Sequence, residues 1–384
     1  MKQIQVVLFI ALSIFALSCG NNKDNNDSET TDSTKQVVET VKIDTLLTDI
    51  AYLIAGKPTI KHFDSFQEKD FYVEHKSFVN DTWEYVEDSM IMPLRTWLNE
   101  ENIVEETDTG TLFYPFSGPD FLYANEFYPY CTDYIMLGLE KLGTVANPDS
   151  LTEKLQKQYF TGIQKSLRYL NMAGYFVTQH MGSDFSRFTL DGVVHMIMYF
   201  MAKTDHQIIA VEYIELNKDG TYKIVEHDKS KETVIGLKIR FGDSEQTEEK
   251  SLYYFSIDAS DENLETTTEL NSFVRSFDDM HAYFKAASYI LANPNFNIIR
   301  KIVTDKSKKI IQDDTGVPYR YFEEDVFDVK LYGVYSRTLD ELKWGYQTDL
   351  KRALEENGNQ TPLPFKISYN GRFGEGVMIY AKRK

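Results

Sequence analysis

Two groups of side chains in this chain have types and spacings that could do chemistry. The first is the run Tyr114-Pro-Phe-Ser-Gly-Pro-Asp120, followed about twenty residues on by Glu140. Thr111 to Phe116 has the composition of a strand, Ser117 to Asp120 that of a turn, and Phe121 to Tyr128 that of a short helix. Tyr134 to Leu139 reads as a second strand ending at Glu140. If the two strands are parallel neighbours, their carboxyl ends lie side by side. Ser117, Gly118, Asp120 and Glu140 then border one cleft. Glu140 could accept hydroxyls from a sugar there. Gly118 is the only glycine of the turn and Pro119 has no N–H to donate, so few backbone amides can approach a phosphate. Asp120 and Glu140 would also repel a pyrophosphate, and no cofactor is expected.

The second group is His180, Asp184, Asp191 and His195. Two of its spacings are i, i+4, which on a helix would put side chains on one face able to hold a divalent metal or to exchange protons. Arg187 sits among them. A structural account also fits: Gly182 and Thr189 suit a loop, Asp191 suits a helix N-cap, and His195 adjoins an apolar stripe. Asp-Thr-Gly occurs at Asp108 and at Asp314 and resembles the paired loops of aspartic proteases. Hydrophobic strands should flank each triplet, whereas Glu105-Glu-Thr107 precede the first and Val317-Pro318 follow the second, so both read as turns. Cys131 has no histidine near it in sequence and reads as a buried, inert thiol.

The order strand, turn, helix, strand and terminal acid resembles the start of an S-adenosylmethionine-dependent methyltransferase. That resemblance implies a Rossmann-like fold with its ligand at the strand ends. The chain departs from the family in having Gly118 alone where two or three glycines are usual. It also lacks a catalytic Asn-Pro-Pro-Tyr, to which Asn293-Pro-Asn-Phe296 is the nearest approach. The Phe-Ser-Gly-Pro-Asp block resembles one in a set of bacterial proteins and implies no activity.

The elements that must hold these residues can be read from periodicity. Val37 to Glu106 is mostly helical, with Leu46, Leu47, Ile50 and Leu53 on one stripe and Trp83, Val86 and Met90 on another, interrupted by Pro93. Helical stripes return at Leu151, Leu155, Tyr159, Ile163, Leu167 and Leu170, then at Val193, Val194, Ile197, Met198 and Met201. Gln207 to Tyr213 and Thr221 to Val225 flank the turn Asn217-Lys-Asp-Gly220 as a hairpin. Val234 to Phe241 and Ser251 to Ile257 form another. A long helix is expected from Phe273 to Leu291, with Phe277, Met280, Phe284 and Ala287 inside, and a strand-rich remainder after it. These elements give an α/β fold with a mixed sheet, a Rossmann-like N-terminal half and a hairpin-rich C-terminal half. A sub-boundary falls near 215–225.

The chain's 384 residues, 42% of them hydrophobic, suffice for one large domain or two ordinary ones. A formal charge of −18 repels phosphate backbones, so nucleic acid is not expected as a partner. Aromatic residues make up 14% and crowd Phe113 to Tyr134 and Tyr319 to Tyr335, which suits core packing and also a sugar or peptide ligand. The N-terminus has a basic start at Lys2, an apolar run from Ile4 to Leu17, then Ser18-Cys19-Gly20. It resembles the signal peptide and lipobox of bacterial lipoproteins, in the looser form familiar in the Bacteroidetes, with Ala16 rather than leucine third before the cysteine. The resemblance implies residues 1–18 as signal peptide, diacylglycerol on Cys19, and anchorage in a membrane. Gly20 in place of an aspartate points to the outer membrane. Residues 19–36 carry almost no apolar side chain beyond Cys19 and read as a solvated tether, with the body at 37–384. Asp44-Thr45-Leu46, Asp88-Ser89-Met90 and Asp149-Ser150-Leu151 resemble the O-glycosylation signal of exported Bacteroidetes proteins, which makes Thr45, Ser89 and Ser150 candidate sites. An outer-membrane-anchored lipoprotein of binding or accessory type is expected. The competing expectation is an extracytoplasmic enzyme, transferase-like or a metal-dependent hydrolase, using Asp120, Glu140 and the cluster from His180 to His195.

Overall fold

A computed structural model of the chain describes residues 42–173, 190–226, 235–243, 248–369 and 375–384. Its described strands form one ten-stranded sheet in the order β4-β3-β5-β6-β2-β1-β7-β8-β10-β9. Five strands in the middle are parallel: β1 (Thr111–Tyr114), β2 (Asp133–Gly138), β6 (Lys250–Ser256), β7 (Met280–Phe284) and β8 (Ser307–Gln312). Ranked by chain position, their spatial order is 3-2-1-4-5, that of doubly wound α/β folds. The order in which strands are added reverses at β1, with β2 on one side and β7 on the other, so the connections after β1 and β7 leave on opposite faces and a crevice opens between them. Antiparallel strands extend the sheet on both sides. β5 (Ile235–Asp243), β3 (His206–Leu216) and β4 (Tyr222–Val225) continue from β6, and β10 (Val377–Arg383) and β9 (Phe327–Gly333) continue from β8. The fold is α/β with a mixed sheet. Residues 40–384 make up one unit, and the sheet runs through 215–225.

Alternation along each strand divides two cores. Leu112 and Tyr114 of β1 and Tyr134 and Met136 of β2 face one side, while Phe113, Ile135 and Leu137 face the other. The first side is covered by α1 (Thr45–Ile54), α2 (Asp70–Val86), α3 (Met92–Glu100), α4 (Phe121–Phe127), α5 (Glu153–Ala173) and α6 (Val194–Lys203). The second is covered by α7 (Asp261–Thr266), α8 (Thr268–Ser276), α9 (Asn297–Lys306) and α10 (Thr348–Asn357). Pro93 stands in the first turn of α3, after a π-helical turn at Glu87–Ile91, where its missing N–H costs nothing. None of the described helices is long and apolar enough to cross a membrane.

The expected helix from Phe273 to Leu291 is not formed. α8 stops at Ser276, Asp279 takes a φ of 50°, and Met280–Phe284 becomes β7 in the middle of the sheet. All five residues of β7 are buried, so it shows no polar alternation, and Phe277, Met280 and Phe284 fall by coincidence at helical spacing. Lys306 ends α8 by donating from Nζ to the carbonyls of Arg275 and Phe277.

Candidate functional site

The carboxyl ends of β1, β2, β6 and β7 open on a crevice of about 760 Å³, lined among others by Ser117, Gly118, Asp120 and Glu140. The structure therefore brings together the four residues of the first group. The turn after β1 is latched to β2: Ser117 donates from its backbone N to the Leu137 carbonyl at 2.9 Å, and its hydroxyl lies 3.2 Å from the same oxygen. Gly118 has a φ of 53°, and a Cβ there would stand 3.6 Å from both carboxylate oxygens of Glu140. Glu140 is only 5% exposed. The Tyr254 hydroxyl of β6 donates toward Oε2 at 3.0 Å and toward the Glu140 carbonyl at 3.2 Å. Burial and the neighbouring carboxylate push that phenol well above its ordinary pKa, so it stays a donor.

Asp120 lies deeper and caps α4, accepting from the Tyr123 N–H. It also accepts from the Tyr114 hydroxyl at 3.0 Å and pairs with Lys285 Nζ at 2.7 Å. Lys285 is buried, with its ammonium 3.5 Å from the centre of the Tyr123 ring. Burial pushes its pKa down and Asp120 pulls it back up.

The loop after β7 forms the opposite wall and is strained. Ala286, Ser288 and Tyr289 all take left-handed φ near 50–56°, and Phe116 across the crevice takes 62°. Such conformations in non-glycine residues cost of order 1 kcal/mol or more each and persist only where surroundings enforce them. Here the enforcement is visible. Asp313 Oδ2 accepts from the Ala286 N–H at 2.7 Å, Thr315 Oγ1 accepts from the Ala287 N–H at 2.7 Å, and the Tyr369 hydroxyl donates to the Ala286 carbonyl at 2.6 Å. Tyr289 donates to Asp314, whose carboxyl is pushed up to about 7 by burial and then by the charge of Asp313.

The described members of the second group, Asp191 and His195, do not line this crevice. His180 and Asp184 lie outside the described residues. Asp191 accepts from Thr144 Oγ1 at 3.2 Å. His195 Nε2 accepts from the Ala146 N–H at 3.2 Å, and the ring packs edge-on against Tyr159. Burial holds its pKa down near 4, so it is neutral. Both residues brace the loop that leaves Glu140, and neither lines the crevice. Among the described residues no three acids, histidines or cysteines stand together as metal ligands. The Asp-Thr-Gly triplets occupy opposite ends of the parallel strands: Asp108 pairs with Lys309 before β1, and Asp314 follows β8. Cys131 is buried, its thiol pushed up by desolvation. The aromatic run Phe113 to Tyr134 packs largely inside, with Tyr130 exposed.

Of the proposed glycosylation residues, Ser150 is exposed in a turn, whereas Thr45 begins α1 and Ser89 donates to the Tyr85 carbonyl. The Asp44 carboxylate caps α1, accepting from Leu46 and Leu47.

Sequence reasoning missed Lys285, Asp258 and the strained loop. The signal for Lys285 is its position right after a buried apolar run, masked by reading that run as helix. Gly138 is a further requirement, because a Cβ there would collide with Tyr254 and come 2.5 Å from Glu140 Oε2 and 3.2 Å from Gly118 Cα. Gly138→Ala is expected to destabilise the fold by about 1–3 kcal/mol. An unchanged thermal midpoint would show instead that the wall yields freely.

Comparison of the chain with family models, curated proteins and solved structures gives no match.

Proposed function

We propose that this chain is a lipid-anchored, extracytoplasmic binding protein whose crevice takes a small molecule rich in hydroxyl groups. The observation that carries the reading is Glu140. It is a buried carboxylate at the edge of the crevice, paired with no cation among the described residues, and Tyr254 engages only its Oε2 and main-chain oxygen. Burying a carboxylate without a charge partner is costly, and donors from a ligand offset that cost. Open parallel sheets place their ligands at such reversal points. Half-buried Phe116 and Phe296, with ring centres 5.9 Å apart, offer apolar surface beside the carboxylate. Polar acceptors next to apolar rings suit a sugar, which has hydroxyl edges and C–H faces.

Titration calorimetry of the detergent-solubilised chain against neutral monosaccharides tests the crevice. Binding should weaken by about tenfold or more in Glu140→Ala, the cost of a lost charge-assisted hydrogen bond. Micromolar binding of S-adenosylmethionine or NAD, abolished by the same substitution, would replace this reading with the transferase one. That second reading has one observation in its favour, the strain stored around the crevice at Phe116 and Ala286–Tyr289.

Anchorage is a separate part of the proposal and rests on the run before Cys19 and the polar segment after it. Each buried CH₂ of an acyl chain contributes about 0.8 kcal/mol, so two or more chains hold a protein on a bilayer almost permanently. Labelled palmitate should enter the wild-type chain and be absent from Cys19→Ala. Label that survives the substitution removes the anchor.

A further inference from the structure

We infer that the ligand of this crevice carries a positive charge, as an amino sugar or a similar hydroxylated amine does. The inference rests on the binding role proposed above and follows from the balance of charge on the wall. Glu140, Asp258 and Glu341 line the crevice and form no ion pair among the described residues, and Asp120 lies behind them. Lys285 is the one cation of the lining. Its ammonium is closed on Asp120 at 2.7 Å and stacked on Tyr123, so its charge is already spent within the protein. The field presented to a ligand is therefore negative, and it strengthens inward. Asp258 and Glu341 are exposed at the rim, whereas Glu140 is 5% exposed and sits between Gly118 and Tyr254. Tyr254 supplies one neutral hydrogen bond and no charge.

An amine that enters loses little hydration at the rim and meets Glu140 where protein encloses most of the carboxylate and the attraction is less screened than at the rim. Hydroxyl groups on the same molecule keep the acceptors at the rim satisfied. A carboxylated or phosphorylated sugar meets the same three acids with the opposite sign. The chain as a whole, at −18, draws cations toward the crevice from a distance as well.

Calorimetry of the detergent-solubilised full chain with D-glucosamine, D-glucose and D-glucuronate, each at low and at high salt, separates the outcomes. The expected order is glucosamine tightest, about tenfold tighter than glucose at low salt, with glucuronate weakest and the gap narrowing as salt rises. Glu140→Gln should weaken both sugars, because a neutral amide accepts less strongly than a carboxylate, and should bring the glucosamine-to-glucose ratio close to one, which is the readout. Glu341→Gln, at an exposed position, should narrow the gap more modestly and keeps the test alive if Glu140→Gln fails to fold. Equal binding of glucosamine and glucose overturns the inference and leaves the binding role standing. Silence toward all three sugars overturns the binding role itself.

Discussion

Lys285→Met is expected to destabilise the folded chain by about 3–5 kcal/mol, the usual cost of removing one member of a buried ion pair. The methionine fills much the same volume, so little of the loss comes from a cavity. It comes from Asp120, left charged and buried with the Tyr114 hydroxyl and the Tyr123 N–H as its side-chain donors among the described residues. A second substitution separates the charge from the packing. Asp120→Asn keeps an oxygen to cap α4 and sets an NH₂ group in place of Oδ2, which can donate to the Tyr114 hydroxyl oxygen, while the charge is removed. The double variant Lys285→Met with Asp120→Asn should therefore recover most of the loss. Urea midpoints of the wild type and the three variants make the comparison. If Lys285→Met alone stays within about 1 kcal/mol of the wild type, the pair is not holding the crevice together.

Stability is also expected to fall steeply as the pH drops from 6.5 toward 4. Burial depresses His75, His195 and His206 to about 4, so each is neutral in the folded chain and takes a proton only on unfolding in that range. Each contributes about 3 kcal/mol that is present above 6.5 and lost by about pH 4. Asp314 works in the opposite direction. Its carboxyl, raised to about 7, stays protonated in the fold, so the stability it brings is full below about 4 and is lost as the pH rises to 7. Among the described residues four lowered histidines, His281 included, stand against the raised carboxyls of Asp133, Asp313 and Asp314, so the unfolded chain binds more protons than the folded one between 4 and 6.5. Stability therefore rises with pH across that window and is greatest near 6.5. Asp314→Asn should steepen the acid limb and remove the decline from 6.5 to 7. Guanidinium midpoints across this range decide the matter, and a flat profile between 4 and 6.5 would mean the three imidazoles are hydrated.

The cleft between β1 and β2 was legible because its information is local. A strand, a turn built of Ser117-Gly-Pro-Asp120, a helix and a second strand lie within thirty residues of one another. Two hairpins were legible for the same reason, their turns lying beside their strands. The other wall was not, because β7 meets β1 only after the chain has travelled from Thr111 to Met280, and nothing in Met280–Phe284 marks it as strand rather than helix. Misreading it hid Lys285 and with it the partner of Asp120. Tyr254, which orients Glu140, likewise comes from β6, far along the chain. His195 shows the converse: an imidazole at a suggestive spacing from an acid proves to be a neutral brace for Ala146.

The position of β10 governs the order of events during synthesis. Residues 377–383 lie between β8 and β9, with Tyr380 opposite both Ile311 and Lys330. β8 can pair with β7 on one edge, but its other edge and the whole of β9 wait for residues 377–383 to emerge from the ribosome. Up to that moment β8 offers an unpaired edge and β9 has nothing to lie against, so this side of the sheet cannot close early. That side of the sheet stays open while the strands from β1 to β8 can already pair with one another. Truncation before Val377 should therefore yield aggregates rather than a slightly shortened protein.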